Sequence, residues 1–191
     1  CNTANDVIQE GLQIPGIKIM ERGVRRKDVE DLIQAMVRQP DMQMLDISAK
    51  MAANNVAKAR LLEIIGRYGV DTLLILFDQY IKHGEDSMRR ALRGISNGSW
   101  RSVFYMEGLK EPYIRVKATL TKEDDSLTID FTGSSPQSAG SQNVALPGTI
   151  SNSLAPIVAM LAYHMPWTGG IFKPIKWVVP EGTIVNPRRP A

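Results

Sequence analysis

The feature that most constrains the fold is a change of hydrophobic period at Trp100. Upstream of it apolar residues recur every three or four positions; downstream they alternate. In "RRKDVEDLIQAMVRQP", Val29, Leu32, Ile33 and Met36 keep helical spacing and Pro40 marks the stop. A second helix is expected from about Met44 to Tyr68, with Ala52, Val56, Ala59 and Leu62 as its stripe. Gly69 is placed as its left-handed C-terminal residue. Asp71 then caps a third helix, whose apolar positions run from Leu73 to Ile95 before the turn "SNGS". Short turns between amphipathic helices make an antiparallel helical unit the natural packing.

After Trp100 the chain reads as sheet. "WRSVFYMEG" is a strand, and Ile114, Val116, Ala118 and Leu120 alternate with Arg115, Lys117 and Thr119. "KEDDS" turns the chain, and Leu127, Ile129 and Phe131 resume the alternation. "SNSLAPIVAMLAYHMP" predicts a helix near 153–165 with Pro156 in its first turn, and two short strands flank Pro180-Glu181-Gly182. The expected architecture is α+β. A helical segment, 1–98, precedes a β-rich segment, 99–191, that forms a meander with one further helix.

Several functions are disfavoured by composition. Twenty-three basic and 20 acidic residues leave a formal charge of +3. They are interspersed, so no nucleic-acid partner is expected. Cys1 is the only cysteine, which rules out a disulfide framework within the chain and suits a reducing cytoplasm. No stretch reaches the apolar length of a membrane span, and no charged and then apolar leader opens the chain. Neither GxxxxGK[ST] nor GxGxxG occurs. His83 and His164 each stand alone on a predicted helix, as solvated or core residues rather than metal ligands. The chain starts without methionine and stops at "NPRRPA", so we expect a piece of a larger fold. Apolar residues near its ends, such as Ile8, Leu12, Val179 and Ile184, are then expected to face water or a neighbour. Self-association or a place in a larger assembly follows.

Candidate site residues gather in "SLTIDFTGSSPQSAGSQN". A good strand gives way to hydroxyls, amides and glycines over 132–143. Thr132, Ser134, Ser135, Gln142 and Asn143 supply neutral donors and acceptors, and Gly133 permits positive φ and close backbone approach. Such a loop can receive a carbonyl or amide, or it can be an ordinary turn; the residues alone leave both open. Asp130 projects from the polar strand face on the side of Arg115 and Lys117. It is either a partner in a cross-strand ion pair or a proton acceptor at the sheet rim. Glu10, before Gly11, is a second acidic candidate.

The succession "IQEGLQIPGIKI", "LDISAKMAANNVAKARLLEIIGRYG", "LTIDFTGSSPQ", "SQNV" and "VVPEGTIVNPRRPA" resembles the hydantoinase B/oxoprolinase family. That family includes the B components of N-methylhydantoinases and 5-oxoprolinases and the related large subunits of acetone and acetophenone carboxylases. The resemblance implies an A-type partner that binds ATP and activates a small-molecule substrate by phosphoryl transfer. The B-type component then completes hydrolysis of a hydantoin or 5-oxoproline-like cyclic amide, or the carboxylation of a ketone. It implies a divalent metal held by histidines and acidic residues upstream of this stretch, outside the chain. What is present looks like a middle portion of a B component, expected to be inactive alone. The loop looks like part of the family's substrate-side framework, with Asp130 leading in and Asn143 closing it. Hydrolase, carboxylase and non-catalytic scaffold all remain open from the sequence.

Overall fold

The computed structural model describes residues 14–188. The chain parts into two units between Leu74 and Ile75, inside its third helix, and each unit is described by itself.

In the first unit, Arg22 and Gly23 have φ of 50° and 83°. Two consecutive left-handed residues suit a two-residue hairpin turn, and they join β1 (Met20–Glu21) to β2 (Val24–Arg25). Helix α1 (Lys27–Met36) follows, with Asp28 and Glu30 in its first turn, where the helix dipole favours carboxylates. Pro40 does not end this helix; it opens the next, α2 (Pro40–Tyr68). A proline fits there because the first helical N–H has no partner to lose. Val29 and Ile33 of α1 pack with Met44 and Ile47 of α2, and these four residues form this unit's buried apolar cluster. The expected stripe farther along α2 is not buried: Val56 is 63% and Leu62 56% exposed. Gly69 does have a positive φ, 82°, but its ψ of 156° lies outside the left-handed helical region expected for it, and its N–H bonds the Ile65 carbonyl at 2.8 Å.

Helix α3 (Val70–Arg93) carries the chain into the second unit. There Met88 and Leu92 are fully buried beside a four-stranded sheet of order β3-β4-β5-β6. Strands β3 (Gly98–Met106), β4 (Ile114–Glu123) and β5 (Ser126–Asp130) form an antiparallel meander. β6 (Ile175–Val178) departs from that expectation: it runs parallel to β5, with Ile129 opposite Trp177. A parallel neighbour needs a crossover, and the crossover here is the polar loop and the following helix. Only one strand forms near Pro180; beyond it, Thr183 makes isolated bridges to Pro136 and Asn186.

That helix, α4 (Leu146–Ile157), starts well before residue 153 and continues into a π turn, Val158–Ala162. Pro156 lies in its last α-helical turn rather than its first. Lacking an N–H, it interrupts the regular ladder where the hydrogen-bond register widens. Ile114, Leu127, Ile129, Phe131, Ile171 and Ile175 fill the core between these elements. Ile184 belongs to that core at 2% exposure and Val179 packs against it, so neither is a bare cut surface. Ile8 and Leu12 lie outside the described residues.

Candidate functional site

The parallel pairing of β5 with β6 sets the geometry of the polar loop. Both strands end at the same edge, and the N–H of Phe131 still bonds the Val178 carbonyl, at 2.8 Å. The loop after β5 then meets the segment after β6. Gln137 N donates to Gly182 O (2.9 Å), Ile184 N to Ser135 O (3.0 Å), and Val144 N to Ile184 O (2.8 Å). Two stretches far apart in sequence, "DFTGSSPQ" and "PEGTIVNP", thus become one surface at the carboxyl ends of two parallel strands. In parallel α/β sheets such ends are where loops build ligand sites, and here only the β5–β6 pair has that arrangement.

Asp130 is the last residue of β5. Its Oδ1 accepts the N–H of Thr132 at 2.7 Å, a local turn bond. No ion pair of Asp130 forms among the described residues, so the expected cross-strand bridge to Arg115 or Lys117 is absent. The hydrogen bonds from the Thr132 side chain and backbone, with a smaller contribution from Lys117, hold the Asp130 carboxyl below the usual carboxylate range. An ionised, stabilised carboxylate is a firm acceptor and a poor general base at neutral pH.

Gly133 follows with φ 93°, a conformation open to glycine. It also makes room: a Cβ there would stand 3.1 Å from Lys117 Cδ and 3.2 Å from its Nζ. The Lys117 chain lies over the turn. Asp130, exposed Thr132, Gly133 and Lys117 therefore form one small polar cluster.

The remaining loop residues are largely bound to the protein itself. Ser134 is buried; its Oγ accepts Lys117 N (3.1 Å) and lies 2.9 Å from Phe131 O as donor. Ser135 Oγ accepts Arg115 N at 2.9 Å. Asn143 folds the loop on itself, with Oδ1 accepting Ser138 N and Nδ2 donating to Ser138 O and Gly140 O. Gln142 bridges to the β3–β4 connection, accepting Leu109 N at 2.7 Å and donating to Glu107 O at 2.9 Å. Ser138 donates to Glu111 Oε2 at 2.9 Å, and that bond, with the Ala139 N–H, lowers the Glu111 carboxyl from its ordinary value. The loop is thus a braced platform. Glu111, Lys117 and residues 182–186 belong to it, and the sequence does not mark them as site residues. Lys117 carries the one usable signal, since it shares strand-face parity with the residue opposite Asp130. Glu10 lies outside the described residues.

Among the described residues no three His, Cys, Asp or Glu side chains gather into a metal-ligand set. No described helix is long and apolar enough to cross a membrane.

A family model described as Hydantoinase B/oxoprolinase matches residues 1–191. The chain belongs to the hydantoinase B/oxoprolinase family. Within that family it is 30% identical to the B component of a putative D-/L-hydantoinase of Pseudomonas sp. strain NS671, over 98% of this chain and 34% of that protein. It is 25% identical to the acetophenone carboxylase delta subunit of Aromatoleum aromaticum, over 97% of this chain and 28% of that protein. The crystal structure of an ATP-dependent caprolactamase from Pseudomonas jessenii superimposes with a TM-score of 0.88 at 27% identity. That match covers 98% of this chain and 33% of the caprolactamase chain. The chain thus spans about a third of the length of these hydantoinase B/oxoprolinase relatives, and its α+β fold is a piece of a larger one.

Proposed function

We propose that the chain is part of the B-type component of an ATP-dependent hydrolase that opens cyclic amides of the hydantoin or 5-oxoproline kind. The observation that carries this reading is the joining of "DFTGSSPQ" and "PEGTIVNP" into one braced surface at the ends of β5 and β6. The family membership and the 30% identity to a hydantoinase component support the reaction class.

In this reading Thr132, Gly133 and Asp130 face the substrate. A hydroxyl and backbone beside a glycine can polarise an amide carbonyl, and an ionised carboxylate can hold a ring N–H. The Lys117 ammonium favours developing negative charge nearby. Ser134, Ser135, Gln142 and Asn143 act by holding that surface, because their polar atoms already bond to neighbouring backbone. ATP is used by an A-type partner; the caprolactamase relative is described as ATP-dependent, which supports ATP use by the whole enzyme. Two relatives, the hydantoinase B component and the beta chain of the caprolactamase, are each named as one part of a multi-subunit enzyme, which supports such a setting. Any divalent metal is held by residues outside this chain.

The likeness to an acetophenone carboxylase component supports a second reading, ketone carboxylation by a similar two-component scheme. One experiment separates them. The full-length protein, reconstituted with its A-type partner, is assayed for ATP hydrolysis with hydantoin, 5-oxoproline, or a ketone plus bicarbonate. Stimulation by a cyclic amide supports the hydrolase. Stimulation by ketone and bicarbonate alone replaces it with the carboxylase, and no stimulation by any of them refutes both.

A further inference from the structure

The fold brings together the chain's only two histidines, which the sequence leaves on separate helices. His83, Ser87 and Arg90 lie one and two turns apart on one face of α3, and His164 comes from the segment after the π turn. With Ala91 and Met165 they line a groove of about 490 Å³. It lies within the second unit and shares no residue with the 130–143 platform.

Its polar lining is His83, Ser87, Arg90 and His164. Arg90 Nη2 donates to Ser87 Oγ at 2.9 Å, so a buried serine orients the guanidinium. Arg90 pairs with no carboxylate among the described residues. Its neighbours on the helix are already matched. Arg89 binds Glu85 and Asp125, each at 2.9 Å, Lys173 binds Glu85 at 3.3 Å, and Asp86 is held by Lys82. Asp86, one turn before Arg90, is hydrogen-bonded to Lys82 and feels the Arg90 charge without forming an ion pair with it. Tyr163 lies edge to face against His164, with ring centroids 4.9 Å apart. A planar guanidinium and two imidazoles facing one groove suit an oxyanion with more than two acceptor oxygens, and a fork of this kind matches phosphate. Ala91, Met165 and Pro166 add an apolar wall where an organic group can rest.

We propose that the His83–Arg90–His164 groove binds a phosphoryl group, either as inorganic phosphate or as the phosphate ester of a small molecule. The proposal does not depend on the function proposed above. The histidine count makes it directly testable: ring resonances of the 191-residue chain report on this groove alone. Ring-labelled chain is titrated at fixed pH and ionic strength with inorganic phosphate, with glycerol phosphate, and with chloride. Both rings are expected to shift saturably with a phosphoryl ligand and not with chloride. Tighter binding of glycerol phosphate assigns the site to an ester; equal or tighter binding of inorganic phosphate assigns it to the free ion. Arg90→Met should weaken binding about tenfold or more while leaving Tm unchanged. His164→Gln should weaken it too, with His83 still reporting. Equal shifts with chloride, or an Arg90→Met chain that titrates like the parent, overturn the proposal.

Discussion

At the scale of residues, Asp130 shows how one carboxylate can link turn stability to pH. Its folded-state value is depressed, so it stabilises the fold above the ordinary carboxylate pKa, about 4. That contribution is lost as pH falls through the folded value. Asp130→Asn keeps an acceptor for Thr132 N but removes the titration. Urea midpoints measured from pH 6 downward should therefore fall less steeply for the variant than for the parent. Gly133→Ala tests the neighbouring position. Positive φ and the overlying Lys117 both oppose a Cβ, so a loss of about 1 kcal/mol or more is expected in denaturant unfolding. Lys122 is a third case. It is 3% exposed and donates to Asn97 Oδ1 at 2.9 Å. Asn97→Ala leaves that buried amine without its acceptor and should cost about 1–3 kcal/mol. Strand parity places Lys122 with Ile114 and Leu120 on the apolar face. What parity could not disclose is the asparagine that makes its burial tolerable, because that partner comes from another turn.

At the scale of elements, local signals read well and pairings did not. The change of period at Trp100 announces β3, and Gly69, with its positive φ, ends α2 where a glycine is expected. The direction of β6 was hidden, since four residues such as "IKWV" look alike in parallel and antiparallel neighbours. Pro156 misled for a physical reason: prolines favour first turns, but a π turn can also absorb one. The polar loop's composition was legible, whereas its bracing was not, because Ser135, Gln142 and Asn143 find partners only once 107–115 and 182–186 are brought near. β3 adds a consequence. It is the edge of the sheet, nine residues long, and it exposes Trp100, Phe104 and Tyr105. A long edge with large apolar side chains invites pairing with another chain. The 191-residue chain is expected to self-associate through it. Sedimentation over a concentration series should show association that Phe104→Lys weakens; a parent that stays monomeric throughout contradicts this.

At the scale of the whole molecule, the chain corresponds to about a third of its relatives' length. The central claim is that the turn after β5 faces the substrate of a cyclic-amide hydrolase. Thr132 is the residue to change, since it is exposed at the turn and Val matches its shape. The most direct measurement is kcat/KM of the reconstituted full-length enzyme carrying Thr132→Val, with a cyclic amide as varied substrate. Loss of one donor to a developing oxyanion should lower kcat/KM at least about tenfold, measured where the variant, which also gives up the Thr132 side-chain bond to Asp130, is still fully folded. A variant whose kcat/KM equals the parent's would contradict the claim and leave residues 130–143 as a structural brace alone.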